Sequence, residues 1–259
     1  MPSPKGTYVY CVIAAARRPR LTRVPRGLTG MGSVRLLDVE KGLFAAVADA
    51  PLDRYGEAAI NRGLSDLGWV SRAAVTHDAV VESFIEETAV VPMKLFTLFT
   101  TDERAIEHVR AERRRIATVV KRVANHQEWG VRVVRDRGKD VAAAPKKKNA
   151  SPAGRSGVAY LTHKKAQRDA AVELATHAHE TVAALYDRLA ARSRLAKRRL
   201  ASDLPVQGGP LLLDAAFLVP RTRAASFRAL AARESRALAR HGYGLTFTGP
   251  WPPYSFVQD

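Results

Sequence analysis

The feature that most constrains this chain is a break in its pattern. Between Asp136 and Gly157 the sequence runs through Ala, Gly, Pro and Lys with no apolar period, and it carries six basic residues against two acidic ones. Such a stretch cannot bury enough apolar surface to offset the entropy of ordering it, so it reads as a basic flexible insertion at about 136–157. On both sides of it, short β-branched and aromatic runs alternate with helical periods. The expected fold class is therefore α+β in two domains, at 1–126 and 127–259.

The first domain opens with a strand over Thr7 to Ile13, where β-branched and aromatic residues dominate. Tyr8 to Ala16 loosely resembles a secretory leader, but Arg17 and Arg18 crowd the would-be cleavage site, which favours the strand. Arg17 to Gly32, with its prolines and glycines, reads as a loop. Strands over Ser33 to Val39 and Leu43 to Ala48 flank a turn at Glu40-Lys41-Gly42. Leu67, Val70, Ala74, His77, Val81, Phe84 and Thr88 recur at three- and four-residue steps, which predicts one helical stripe ending by Val90, since Pro92 restricts Val91. A second helix is predicted from Thr101 to Asn125, with Thr100 and Glu103 at capping-box spacing.

The second domain begins with a strand over Glu128 to Arg135. Beyond the insertion a long helix is predicted from Lys164 to Leu200, with Ala171, Leu174, Ala178, Val182, Leu185 and Leu189 on one stripe. Its basic end, Arg192 to Arg199, suits a helix C-terminus. A weak strand near Leu204 to Val206, a strand over Leu211 to Val219, a helix over Thr222 to His241 and a strand over Tyr243 to Thr248 follow. The order β-α-β-β-α-β is that of a ferredoxin-like unit.

The formal net charge is +17, a field that attracts polyanions and acidic surfaces. That leaves a basic nucleic-acid or anionic-surface binding protein as the alternative to any other reading. The tracts Arg113-Arg114-Arg115, Lys146-Lys147-Lys148 and Lys197-Arg198-Arg199 are not interleaved with aromatics, and no recognition-helix signature accompanies them, so no specific nucleic acid is expected. The single cysteine, Cys11, lies in an apolar run and excludes an intrachain disulfide or a thiolate metal cage. No apolar run approaches the ~20 residues of a membrane helix.

Enzymatic motifs are missing. There is no phosphate loop, no G-x-G-x-x-G, no H-E-x-x-H and no G-x-S-x-G. His77 sits on the apolar stripe and reads as a core imidazole. His177 and His179 do not share a helix face, and the carboxylates near Asp102 suit a helix start. No catalytic, cofactor or metal residues are expected.

Three ordered segments carry a likeness. Tyr8-Val9-Tyr10 is followed by Leu43 to Val47. Val90-Val91-Pro92-Met93-Lys94-Leu95-Phe96-Thr97-Leu98-Phe99 lies at the centre. Glu128-Trp129-Gly130-Val131-Arg132-Val133 and the closing Thr248-Gly249-Pro250-Trp251-Pro252-Pro253-Tyr254-Ser255-Phe256 complete the set. Together they resemble the GvpL/GvpF family of gas vesicle proteins over nearly the whole chain. One departure stands out: Leu95-Phe96 occupies the place where the family usually has Phe-Gly. The resemblance implies a modified ferredoxin-like C-terminal domain and no catalysis or cofactor. It also implies a cytoplasmic, gas vesicle-associated accessory or minor shell protein that contacts the major shell protein and other accessory proteins. The candidate interaction residues are Pro92, Met93, Lys94, Phe96, Thr97, Phe99, Trp129, Gly249, Pro250, Trp251, Pro252, Pro253 and Tyr254. Either the closing segment docks a partner, or it folds back to seal the junction between the domains.

Overall fold

The structure, a computed structural model, describes residues 4–135, 157–199 and 209–257. It is a mixed α/β protein with two antiparallel sheets, and it divides into two compact units: Met1–Glu128 with Gly249–Asp259, and Trp129–Thr248. The last residues thus group with the first unit and not with 127–259, because their hydrogen bonds run to residues of that unit. The expected insertion at 136–157 and the weak strand near Leu204 to Val206 lie outside the described residues, apart from Gly157.

In the first unit, β1 (Lys5–Ala14) is the central strand of a sheet ordered β2 (Arg35–Glu40), β3 (Leu43–Pro51), β1, β4 (Ala89–Pro92), with β5 (Leu98–Phe99) also paired to β1. Every residue from Gly6 to Ile13 is buried, as a strand covered on both faces requires. Tyr8, Tyr10 and Ile13 pack with Ala73, Val80 and Val81 of α3 (Leu67–Glu82), each large side chain contributing roughly 1.5–3 kcal/mol by burial. Two short helices, α1 (Leu52–Tyr55) and α2 (Glu57–Gly63), precede α3. The turn between β2 and β3 places Gly42 at φ 76°, a left-handed conformation that glycine adopts without penalty.

Two helix expectations are corrected here. The first helix ends at Glu82, not near Val90, and Ala89–Pro92 forms β4, paired with Cys11 to Ala14. Val90 and Val91 gain more by completing the sheet beside β1 than by extending a helix. Leu67, placed on the buried stripe by periodicity, is 80% exposed. The second predicted helix is two helices, α4 (Asp102–Ala111) and α5 (Arg113–Val123), broken at Glu112. Its cap is Thr101, whose hydroxyl accepts from the Arg104 amide, and not Thr100. Arg35 ties the start of α4 to the sheet, donating to Asp102 at 2.7 and 2.9 Å and to Asp49 at 2.7 Å. These hydrogen bonds hold the Asp102 carboxyl below its ordinary range.

The second unit runs β6 (His126–Arg135), α6 (Gly157–Ala190), β7 (Leu195–Arg198), β8 (Leu211–Pro220), α7 (Ala224–Ala239) and β9 (Tyr243–Trp251), with sheet order β7-β8-β6-β9. Ala178, Val182, Leu185 and Leu189 of α6 are buried with Phe217 and Phe227, as the stripe predicts, whereas Leu174 is exposed. The long helix stops at Ala190, and the basic run expected at its end forms a turn and the edge strand β7. Basic residues suit an exposed edge, where they discourage pairing with other chains. Arg132 and Arg199 enclose Asp214 at 2.9 and 2.8 Å.

Candidate functional site

The central motif is a loop that leaves the sheet at β4 and re-enters it at β5. Its ends are fixed by the backbone: Met93 N–H donates to the Tyr10 carbonyl and Val9 N–H to the Thr97 carbonyl, both at 2.9 Å. Inside it, the Thr97 amide and hydroxyl both donate to the Lys94 carbonyl, at 3.1 and 2.7 Å. This closes a tight turn and presents the Lys94 side chain to solvent.

Phe96 has φ 65°, the left-handed region. A glycine adopts this conformation without penalty, whereas a phenylalanine does not. Two interactions hold the phenylalanine. Its N–H donates to the Tyr8 phenolic oxygen at 3.2 Å, and its ring stacks on Trp69 at 4.9 Å and 11°. Trp69 is placed by the Asp66 cap of α3, whose carboxylate accepts from the Trp69 amide at 3.0 Å. A Cβ on Gly63 would lie 2.6 Å from the indole, so that position must be glycine for the ring to settle.

Tyr8 links the loop to α3. Its oxygen accepts from Phe96 and shares a hydrogen bond with His77 Nδ1 at 2.8 Å. His77 is 3% exposed. Burial lowers its pKa against a smaller opposing influence of Asp78 and the Met93 backbone, so the ring is a neutral core imidazole. Nε2 has no partner within hydrogen-bond geometry among the described residues, although the Met93 backbone lies close enough to favour the charged ring slightly. Burial likewise raises the Tyr8 phenol, and pushes Tyr10 up to about 12.

The closing segment lies on the first unit. Tyr254 donates to Asp78 Oδ1 at 2.8 Å, and the Ser255 amide and hydroxyl donate to the two oxygens of buried Glu128 at 2.7 Å each. Arg122 donates to the Phe256 carbonyl at 3.2 Å. Pro252 and Pro253 are buried, Tyr254 is half-buried, Gly249 is partly covered, and Pro250 and Trp251 are exposed, Trp251 at 38%.

Two stretches far apart in sequence therefore meet. Pro92, Met93, Lys94 and Thr97 line one cavity of about 360 Å³ together with Tyr254. Val91 and Val257 add apolar wall, and His108, Glu112 and Arg115 form a polar side. Arg115 pairs with Glu112 and holds that exposed carboxyl below its ordinary range. Phe96 and Phe99 line a different cavity. Trp129 joins neither: it is buried in the second unit, stacked on Phe247 at 4.9 Å and 5°, where a partner cannot reach it. Sequence reasoning missed Trp69, Asp78, His108 and Arg115. Arg115 was read only as part of a basic tract, and Trp69 left a signal as one of three tryptophans in an aromatic-poor chain.

Among the described residues, no group of three or more His, Cys, Asp and Glu is placed to hold a metal ion, and no helix is long and apolar enough to cross a membrane.

The family model described as gas vesicle synthesis protein GvpL/GvpF matches residues 6–258. The chain belongs to the GvpL/GvpF family. It is 28% identical to gas vesicle protein L of a Streptomyces species, covering 99% of this chain and 94% of that one. Against gas vesicle protein L2 of Halobacterium salinarum it is 26% identical, covering 98% and 92%. The crystal structure of gas vesicle protein GvpF from Anabaena sp. has the same fold, with a TM-score of 0.69 at 14% identity over 98% and 97% of the two chains. That of GvpF from Microcystis aeruginosa gives 0.64 at 15% over 98% and 99%. In this GvpL/GvpF chain, both the central and the closing motif contribute to the cavity at Met93 and Tyr254.

Proposed function

We propose that this protein is a non-enzymatic accessory or minor shell protein of the gas vesicle, working in the cytoplasm, that docks the major shell protein and other accessory proteins during assembly. The observation that carries this reading is the convergence of Pro92, Met93, Lys94 and Thr97 with Tyr254 on one cavity. An apolar floor with a charged rim is the form that protein-protein contacts take. The loop is closed by its own backbone bonds and the closing segment by bonds to Asp78 and Glu128, so little conformational freedom remains to be lost on docking.

The second unit we read as the modified ferredoxin-like domain. Its element order β-α-β-β-α-β and its sheet order, with the first strand between the third and the fourth, support that.

The test is a pull-down of the purified protein against the major shell protein and each accessory protein of the same gas vesicle system. Met93→Asp and Lys94→Glu change the floor and the rim of the cavity. The expected result is capture of at least one of these proteins, reduced by both substitutions. Capture of none of them by the unaltered protein sinks the proposal.

A further inference from the structure

On the second unit, α7 turns to solvent a face built from two residue types. Phe227, Ala231, Glu234 and Leu238 form its buried side and fix which side is outward. Opposite them Arg228, Arg233, Arg236 and Arg240, the last at the C-cap, are all exposed. Alanines occupy the positions between the arginines, with exposed Ala229 and Ala232 at the centre. The helical rise of ~1.5 Å per residue spreads the four arginines over ~18 Å.

No carboxylate shares this face. Glu234, the one acid of α7, is buried and accepts from Arg188 at 2.8 Å and from Arg233 at 3.4 Å. Arg228, Arg236 and Arg240 have no ion-pair partner among the described residues. The helix dipole favours cations near a C-terminus, which accounts for Arg236 and Arg240 but not for Arg228 in the second turn. Nor does an arginine-rich composition account for the arrangement. The helix α5 is as basic, yet there Arg113 pairs with Glu40, Arg115 pairs with Glu112, and Arg122 donates to the Phe256 carbonyl. On α7, Arg233 and Arg236 stand at i,i+3 and Arg236 and Arg240 at i,i+4, where like charges repel. The isolated protein gains nothing from that repulsion, and carboxylates brought by a partner would remove it.

We infer that the arginine and alanine face of α7 binds an acidic surface of a partner protein. Guanidinium groups pair with carboxylates two bonds at a time, and protein interfaces are enriched in Arg and depleted in Lys. The four cations of this face are all Arg. The alanine methyls between them add apolar contact with a protein, which a phosphate backbone does not use. Phe227, the one aromatic of α7, is buried, so the helix offers no ring for bases to stack on. The inference concerns the second unit and does not rest on the Met93–Tyr254 cavity.

The probe is a fluorescently labelled peptide of glutamates and alanines long enough to cover the four arginines. It is titrated into the full-length protein by anisotropy at about 150 mM salt, where the reach of unpaired charge is about 8 Å. The comparison probes are the same peptide with glutamine in place of glutamate, and a labelled DNA duplex. The glutamate peptide binds at least about tenfold tighter than the glutamine peptide, as several exposed ion pairs acting together allow. Arg236→Glu with Arg240→Glu removes that difference. Arg20→Glu with Arg62→Glu makes the same change of net charge at exposed positions of the first unit and leaves the difference in place. All four positions are exposed, so both variants keep the fold, which circular dichroism checks. The duplex loses as much affinity from one double variant as from the other. Equal affinity for the two peptides, or no binding of either, overturns the inference. Equal losses of peptide affinity from the two double variants also overturn it, because the attraction then belongs to the whole charge. A duplex that binds tighter than the glutamate peptide and is weakened only by the α7 variant overturns it in favour of a nucleic-acid surface. A failed shell-protein pull-down would leave these titrations unchanged, so the two readings fail separately.

Discussion

The amide of Phe96 donates to the phenolic oxygen of Tyr8 at 3.2 Å while Phe96 itself stands at φ 65°. A non-glycine residue pays about 1–2 kcal/mol for that backbone, and here the hydrogen bond and the stack on Trp69 offset it. This predicts an inverted ranking of substitutions. Ordinarily Gly in place of Ala costs stability. At position 96 Phe96→Gly, which removes the ring and the strain, is more stable than Phe96→Ala, which removes only the ring, by about 1 kcal/mol. Urea denaturation of the two variants checks it; Ala ranking above Gly contradicts the account.

Tyr254 donates to Asp78 in a half-buried setting, and burial followed by the Asp78 charge raises the phenol well above the usual tyrosine range. Tyr254→Phe keeps the ring and deletes the bond. It lowers stability by about 1–2 kcal/mol, seen as a lower denaturation midpoint with unchanged slope. The Ser255→Ala variant removes the hydroxyl donor to Glu128 and keeps the amide donor, so it costs less than the phenylalanine variant.

In the second unit, the core of the long helix and the strand at Leu211–Pro220 were legible because their signals are local. The stripe Ala178, Val182, Leu185 and Leu189 has the helical period, and Leu211 to Val219 is too apolar and too short for anything but a buried strand. What was not legible depends on distant partners. Val90 and Val91 are compatible with helix or strand, and only the free edge of β1 at Cys11 to Ala14 decides between them. Arg192 to Arg199 reads as a helix end until Asp214 is known to lie between Arg132 and Arg199. The same limit applies to the site. The central and closing motifs were both found, but that Met93 and Tyr254 line one cavity follows from Tyr254 reaching Asp78 across 176 residues.

Asp214 has a side chain only 9% exposed, between guanidiniums that are 46% and 39% exposed. Removing the shared acid leaves both cations facing each other, whereas removing one arginine leaves the other pair intact. Asp214→Ala is expected to cost about 2–3 kcal/mol, below the figure for a fully buried pair because both arginines reach solvent. Arg132→Ala is expected to cost under ~1 kcal/mol. Thermal melts of the three proteins test the ratio, and equal losses refute the shared-acid account.

A net charge of +17 attracts duplex DNA in dilute salt whatever the protein's role. If that attraction is only a field effect, affinity falls roughly tenfold or more between about 50 and 200 mM salt and shows no preference for sequence. Filter binding across that range measures it. Affinity that persists at high salt with sequence preference would instead revive a nucleic-acid role.

His77 gives the clearest pH dependence. Burial depresses its pKa in the folded protein, so across the interval below the ordinary histidine value near 6.5 the unfolded chain binds a proton that the folded chain does not. Its contribution to stability is therefore fully present above about pH 6.5 and is lost as pH falls from there towards the depressed folded value. Glu82 works in the opposite direction: burial, then Asp78, raises its pKa, so its contribution is present below the ordinary glutamate value and declines as pH rises through the folded one. Both effects open into the interval between the ordinary glutamate and histidine values, so a simple pH titration of the protein mixes them. His77→Asn separates them, because the amide can replace Nδ1 in the hydrogen bond with Tyr8 and does not titrate. The loss of stability between pH 7 and pH 5 is expected to shrink in that variant. An unchanged loss in His77→Asn would mean that the imidazole charges without cost, and that the neutral ring assigned beneath the motif loop is wrong.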